Sequence, residues 1–90
     1  MQDVGYEVKI RSAAQKYLDT LTGKDYQAVA EAISALEETP RPPKVKRLAD
    51  SDLWRVRVKR HRVIYAINDT DREIIVVRVA RRSEDTYKGL

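Results

Sequence analysis

Strict two-residue alternation in the stretch LWRVRVK, which begins at Leu53, constrains the fold of this chain more than any other feature. The apolar members are Trp54, Val56 and Val58, and the cationic members are Arg55, Arg57 and Lys59. A period of two is the signature of a β-strand with one buried face, so the three cations are predicted to share the other face. A tight reversal near Arg60 and a second strand would return Arg62 to the same surface. Clustered guanidinium groups on a sheet are typical of an anion site, and phosphate is the first candidate.

The length of 90 residues predicts a single domain over residues 1–90. The absence of cysteine excludes a disulfide framework, a thiolate nucleophile and a cysteine-based zinc site, and it is compatible with a reducing cytosol. No apolar run approaches the roughly 20 residues that span a bilayer, and residues 1–6 lack the features of a signal peptide. We therefore expect a cytoplasmic protein with no membrane partner.

The net charge of +4 is unevenly distributed along the chain. Residues 41–62 contain nine lysines and arginines but only two carboxylates, whereas residues 1–40 contain seven carboxylates and four cations. Such an imbalance indicates either a solvated charged surface or a binding surface for nucleic acid or an acidic protein. Because the cations alternate on one face of adjacent predicted strands, we favour the binding surface.

Apolar periodicity along the rest of the chain predicts an α+β fold. Residues 6–10 alternate as a first strand, and two helices follow. The first helix is expected to begin with a capping box formed by Ser12 and Gln15 and to end at Thr22–Gly23; the second is expected to end before Pro40. Further strands are predicted over residues 53–59, 61–68 and 73–80, with a short one beginning near residue 45. The predicted architecture is a strand, a two-helix antiparallel hairpin and a three- to four-stranded antiparallel meander, with the helices packed on one sheet face.

Conventional catalytic groups are scarce in this sequence. His61 is the only histidine and is expected to be a solvated turn residue, although it could act as a base. No residues have metal-ligand spacing, no glycine-rich phosphate loop is present, and the serines lack a triad context. Trp54 and Tyr65 are expected in the core, so arginine, lysine and Tyr87 remain as the functional candidates.

Arginine, lysine and tyrosine suffice to cleave RNA, because the substrate supplies its own nucleophile, the 2′-hydroxyl group. The protein must then align this hydroxyl with the phosphorus, stabilise charge on the phosphorane oxygens and protonate the leaving 5′-oxygen. Guanidinium groups suit the second task, and a tyrosine such as Tyr87 can stack on a base. We expect neither a metal nor a cofactor.

A set of short motifs occurs in a fixed order between Tyr6 and Tyr87. They are Tyr-x-Val at Tyr6, Leu-x-x-Thr-Pro at Leu36, Lys-x-Leu at Lys46, Trp-Arg-Val-Arg-Val at Trp54, Arg-Val-Ile-Tyr at Arg62, Val-Ala-Arg-Arg at Val79, and Tyr87. In this order they resemble the RelE/ParE superfamily of bacterial type II toxin–antitoxin toxins. The resemblance implies the RelE-like fold and, for the RelE-like branch, a ribosome-dependent endoribonuclease that cleaves mRNA in the A site, inhibits translation and causes growth arrest.

The resemblance also implies a site and partners. By position in the motifs, the expected catalytic residues are Arg55, Arg57, Arg62, Arg82 and Tyr87. Further cations expected to contact RNA are Lys46, Arg47, Lys59, Arg60 and Arg81. Arg82, or its neighbour Arg81, is expected near the leaving group, and Tyr87 is expected to stack against the mRNA. The expected partners are a cognate antitoxin and the ribosome with mRNA, and the toxin–antitoxin complex is expected to bind operator DNA through the antitoxin.

The chain departs from the family pattern at Arg55 and Arg57, where well-studied RelE members have lysines. Because arginine does not readily give up its proton, neither is a credible general base. Lys59, predicted on the same strand face, is the alternative. This departure leaves two other hypotheses open: a ParE-like inhibitor of DNA gyrase without nuclease activity, and an RNA- or antitoxin-binding module that has lost catalysis.

Overall fold

The structure of this chain, a computed structural model, describes residues 5–81, which form two helices and five strands. In chain order the elements are β1 (Glu7–Ile10), α1 (Ser12–Asp19), α2 (Gly23–Ala35), β2 (Lys46–Arg47), β3 (Leu53–Val58), β4 (His61–Asn68) and β5 (Glu73–Arg81). This order is the predicted one, and the α+β fold class is confirmed.

The strands of the described residues join a single sheet in the order β1-β5-β4-β3-β2. The meander comprises β2 to β5, each antiparallel to the next, whereas β1 pairs in parallel with β5. This arrangement makes β5 an interior strand, in agreement with its nearly continuous apolar run. Only Lys59 and Arg60 separate β3 from β4, because Val58 already pairs with His61.

The helices cover one face of the sheet and enclose the hydrophobic core there. Alternate residues of the strands meet the apolar stripes of α1 and α2, because positions i and i+2 share a strand face while i, i+3 and i+4 share a helix face. The buried core residues are Ala14, Leu18, Val29, Ile33, Leu36, Val63, Tyr65, Ile74, Val76 and Val79. Trp54 packs against this cluster from β3, and Tyr65 is within it, as predicted.

The ends of the helices differ in detail from the predicted caps. Helix α1 begins at Ser12 itself, and Arg11 occupies the N-cap position without a side-chain capping bond. The Gln15 side-chain amide donates to Asp19 (2.9 Å) instead of reaching back. The predicted capping box is therefore wrong, since a residue inside the first turn cannot also be the N-cap. Gly23 has a positive φ of 58°, which suits glycine, but it opens α2 and does not close α1.

The connector after α2 is fastened to the sheet by polar contacts. The Tyr65 hydroxyl donates to the carbonyl oxygen of Pro40 (2.7 Å). Arg41 forms an ion pair with Asp69 (2.9 Å), and its guanidinium carbon lies 5.1 Å from the centre of the Trp54 ring. These contacts fix the path of the chain towards β2, which forms one edge of the sheet.

A β-bulge in β5 changes which of its residues face the helices. Val76 and Arg78 pair with successive residues of β4, so Val77 is an extra residue in the ladder. An inserted residue reverses the alternation of the residues that follow it. As a result, Val79 lies in the core together with Val76, and Arg78 points to the opposite face of the sheet.

Candidate nucleic-acid interface

The sheet face turned away from the helices carries cations in two adjacent rows. Residues paired across a ladder point to the same side of a sheet. One row runs Lys46–Arg55–Ile64–Arg78 across β2 to β5, and the next runs Arg57–Arg62–Ala80 across β3 to β5. Neighbouring strands are about 4.8 Å apart, and the two rows are about 7 Å apart along the strands. We call the cations of these rows the arginine face: Lys46, Arg55, Arg57, Arg62 and Arg78.

Arg57 and Arg62 lie directly opposite each other on β3 and β4. Directly opposed Cβ atoms are about 4.5–5.5 Å apart in an antiparallel pair, so the two guanidinium groups can converge on one anion. Strand β2 does not extend alongside them, because its two residues pair only with Trp54 and Arg55. Arg57 is consequently exposed, while Arg62 is partly buried.

Arg55 shares this face, as predicted, but its surroundings differ from those of Arg57. It lies between Lys46 and Ile64 in the middle of the four-strand row. Its exposure is only 6%, and its Nε atom has no hydrogen-bond partner among residues 5–81. The alternation in the sequence predicts equivalent positions for Arg55 and Arg57. In the structure Arg55 is buried and Arg57 is exposed.

Arg47 and Arg81 lie on the helix-covered side of the sheet. Arg47 is paired with Trp54, and it donates to the Ser51 carbonyl oxygen (3.1 Å) and to Asp52 (3.2 Å). Arg81 pairs with His61, so it is not part of the arginine face. The sequence leaves open whether Arg81 or Arg82 lies near the leaving group. The structure places Arg81 on the face of the sheet opposite to Arg62. Predicted site residues Arg82 and Tyr87 lie outside the described residues.

Lys59 does not continue the alternation of β3, and its predicted place on the strand face is wrong. The strand ends at Val58, and Lys59 adopts a positive φ of 54° at the first position of the two-residue turn. Together with Arg60, Arg81 and Asp25 it lines an open cavity of about 770 Å³ at the end of the sheet. The geometry therefore does not support Lys59 as a general base beside Arg57.

His61 is buried, which corrects the expectation of a solvated turn histidine. It is the first residue of β4, is 3% exposed and faces the helices. Its Nδ1 lies 2.9 Å from the Tyr17 hydroxyl of α1, and its Nε2 lies 3.3 Å from Oδ2 of Asp25 in α2. Burial raises the pKa of Tyr17, the charge of Asp25 adds to this rise, and Arg81 opposes it. With the Tyr17 hydroxyl donating to Nδ1 and Nε2–H donating to Asp25, both ring nitrogens have partners.

The sequence signals neither the His61 cluster nor Arg78. The partners of His61 are 44 and 36 residues away in the chain, so no local spacing reveals them. Arg78 is the lone charge in the apolar run of β5, which is a weak signal, but the bulge decides which face it takes.

In the part of the chain from residue 5 to residue 81, no group of three or more His, Cys, Asp or Glu side chains could hold a metal ion. The same residues include no helix with the length and apolar character needed to cross a membrane. The cations of the arginine face can bind an anion and stabilise negative charge through their N–H donors.

Comparison with known proteins assigns this helix-covered sheet to a family of toxins. The family model described as "ParE toxin of type II toxin-antitoxin system, parDE" matches residues 8–86. The chain belongs to this RelE/ParE family and is a toxin of a type II toxin–antitoxin system. The resemblance seen in the sequence motifs is thus confirmed.

Relatives of this chain come from archaea and bacteria. The RelE1 protein of Methanocaldococcus jannaschii is 34% identical over 88 residues, covering 93% of this chain and 97% of that protein. Among solved structures, the archaeal RelE–RelB complex from Pyrococcus horikoshii OT3 is 32% identical, with a TM-score of 0.79 and coverage of 88% of this chain and 97% of that chain. The RelBE2 toxin–antitoxin complex of Mycobacterium tuberculosis is 26% identical, with a TM-score of 0.77 and coverage of 88% and 100%.

Proposed function

We propose that this toxin is a ribosome-dependent endoribonuclease that cleaves mRNA in the A site and thereby inhibits translation. The observation that carries the proposal is the cross-strand pair Arg57–Arg62 on the helix-free face of the sheet. Two guanidinium groups held opposite each other by a β-ladder present several N–H donors to one phosphate group. The similarity to RelE proteins supports this reading of the pair.

The proposed reaction is attack of the 2′-hydroxyl oxygen on the adjacent phosphorus. The 2′-oxygen loses its proton to water, a new P–O2′ bond forms, the P–O5′ bond breaks and the 5′-oxygen takes up a proton from water. Negative charge grows on the non-bridging oxygens of the phosphorane, and Arg57 and Arg62 stabilise it with donors fixed before the reaction. Neither arginine accepts the proton, so in this proposal they contribute charge stabilisation and alignment.

The remaining catalytic and binding assignments also stay proposals. Arg82 is proposed to lie near the leaving oxygen and to stabilise its charge, and Tyr87 to stack on the mRNA, as the family resemblance implies. Lys46 and Arg60 are exposed cations suited to RNA phosphates. Arg81 lies on the other side of the sheet, so any RNA contact it makes is separate from the Arg57–Arg62 pair, whereas Arg47 lines a pocket together with Arg57.

A RelB-type antitoxin is the proposed protein partner. The solved relatives from P. horikoshii and M. tuberculosis are complexes of a toxin with its antitoxin. An acidic or amphipathic antitoxin segment would neutralise the arginine face, and the complex is proposed to bind operator DNA through the antitoxin. The toxin is proposed to act in the cytoplasm, where the ribosome supplies the substrate.

Induced expression followed by primer extension on mRNA tests the proposed reaction. We expect cuts within translated codons and growth arrest, both reduced at least about 100-fold by Arg62→Ala, as for removal of one transition-state donor. Lys24→Ala is the matched control, because Lys24 is exposed on α2, on the other side of the sheet. Cuts that persist in a folded Arg62→Ala protein would contradict the role of Arg62. An SOS response with intact mRNA would instead support gyrase inhibition.

A further inference from the structure

The loop between β2 and β3 and the adjoining part of the arginine face border an open pocket to which the proposed reaction assigns no role. The pocket has a volume of about 580 Å³ and is lined by residues 48–51, Leu53, Lys46, Arg47, Arg55 and Arg57. This volume lies within the roughly 300–1,000 Å³ typical of small-molecule sites. Because Arg57 lines the pocket and also belongs to the Arg57–Arg62 pair, an occupant of the pocket lies beside the proposed scissile phosphate.

We propose that this pocket binds a nucleobase next to the scissile phosphate, and that Arg55 selects a base with two adjacent hydrogen-bond acceptors, guanine or cytosine. The inference rests on the proposed function only in that the occupant is part of an RNA strand. It changes the role of Arg55 from a phosphate ligand to a specificity-determining residue.

The first support is the state of Arg55 itself. Its side chain is at least nine-tenths buried and lines the pocket, yet Nε has no hydrogen-bond partner among the described residues. Buried donors in folded proteins are nearly always paired, and an unpaired one calls for an explanation such as a missing ligand. A guanidinium group has only donors, so the missing ligand must present acceptors.

The second support is that the loop is preformed. The Leu53 amide donates to the Ser51 hydroxyl (3.2 Å), and that hydroxyl donates to the Leu48 carbonyl oxygen (3.3 Å). The Leu48 amide also donates to the Leu53 carbonyl oxygen (2.9 Å). These bonds hold the loop in shape without a ligand, which lowers the entropic cost of binding.

The third support is that the pocket is lined by both apolar and cationic side chains, a combination that favours a base over a phosphate. Leu48, Ala49 and Leu53 supply apolar surface on which the face of a planar ring can pack, whereas phosphate oxygens beside them would lose hydration. Arginine forms a bidentate contact with the O6 and N7 acceptors of guanine, and cytosine offers the adjacent acceptors N3 and O2. Adenine places an amino donor beside N7, and uracil places an N–H donor between its two carbonyls, so both fit the donor-only guanidinium group of Arg55 less well.

This inference is tested by titrating the purified protein with nucleoside monophosphates. The NMR signal of the ¹⁵N-bound Nε–H group of Arg55 is monitored during the titration. The signal is assigned by its loss in Arg55→Lys. We expect guanosine and cytidine 5′-monophosphate to shift it, with affinities at least about fivefold higher than those of adenosine 5′-monophosphate and ribose 5-phosphate. Equal responses to all four probes, or a response to ribose 5-phosphate alone, would overturn the base-reading role.

A second variant tests the pocket without changing Arg55, because a substitution of Arg55 also alters a buried charge. Leu48→Trp fills the pocket and leaves Arg55 in place. We expect it to weaken guanosine 5′-monophosphate binding at least about tenfold relative to ribose 5-phosphate binding, which the Arg57–Arg62 pair provides. Unchanged nucleotide selectivity in this variant would refute the pocket as the site.

The outcomes distinguish this inference from the proposed function. Base-selective binding without mRNA cleavage in cells would reject the nuclease and retain the pocket. Cleavage in cells without selective binding by the purified chain would retain the nuclease and reject the pocket.

Discussion

Arg55 and His61 are both buried side chains with basic groups, and they lie on opposite faces of the same sheet. Both ring nitrogens of His61 have partners, one from each helix. The Nε of Arg55 has none among the described residues. The difference teaches that burial alone does not distinguish structure from function, whereas the satisfaction of polar atoms does.

The cause of this difference is the position of the helices. His61 faces α1 and α2, so Tyr17 and Asp25 are within reach of its ring. Arg55 faces away from both helices, towards the β2–β3 loop and the pocket. On the helix-covered face the chain supplies partners for both ring nitrogens of His61, and on the arginine face the described residues supply none for the Nε of Arg55.

The largest expected effect is the loss of stability in His61→Ala. The substitution removes a buried ring and leaves the Tyr17 hydroxyl without its partner, so we expect the free energy of unfolding to fall by about 2–4 kcal/mol. Urea denaturation followed by circular dichroism measures this loss. Tyr17→Phe, which removes only one hydrogen bond, is the control and should cost about 1 kcal/mol. A loss below 1 kcal/mol in His61→Ala would show that the cluster is not structural.

Tyr65 extends the comparison to alkaline pH, because it is a second satisfied polar group on the helix-covered face. Burial raises its pKa from the usual 10.0 to about 12, although Arg41 opposes the rise. Since the folded-state pKa is the higher one, the stabilisation is complete below pH 10 and is lost as the pH rises through about 12. The loss amounts to about 2–3 kcal/mol, at about 1.4 kcal/mol for each unit of pKa.

Urea titrations of the wild type and Tyr65→Phe between pH 8 and pH 12 measure this alkaline loss. We expect Tyr65→Phe to be less stable at pH 8, because the Pro40 carbonyl oxygen loses its donor. The two proteins should approach each other in stability above pH 10. A constant difference across the whole range would contradict the raised pKa of Tyr65.

Sequence reasoning reached the arginine face but not the difference between its members. Alternation correctly placed Arg55 and Arg57 together, because a strand has a fixed period of two. It could not foresee that a two-residue β2 covers one position and not the other. It also failed at Lys59, where the turn begins one residue early, and at Arg78, where a bulge reverses the alternation. Such errors arise because the ends and insertions of strands depend on tertiary pairing and not on local pattern.

Arg55→Met provides the sharpest test of the comparison. Methionine keeps the apolar length of the side chain and removes a buried charge with an unpaired donor, so we expect stability to change by less than about 1 kcal/mol or to rise. The measurement is the urea midpoint and slope at neutral pH. The informative quantity is the difference between the change in unfolding free energy of Arg55→Met and that of His61→Ala. A loss above 2 kcal/mol would mean that Arg55 is held by structural contacts and would remove its reason to bind a ligand.

The smallest expected change in stability comes from substituting Lys59, in the turn between β3 and β4. Its positive φ of 54° costs a residue with a Cβ roughly 1–2 kcal/mol, while glycine loses about 0.5–1 kcal/mol through its greater freedom in the unfolded chain. Lys59→Gly should therefore raise the free energy of unfolding by about 0.5 kcal/mol, measured by urea denaturation. Lys59→Ala removes the same charge but keeps the Cβ, so it should give no gain. An equal gain in both variants would trace the effect to charge repulsion with Arg60 and Arg81 around the end cavity and not to the backbone.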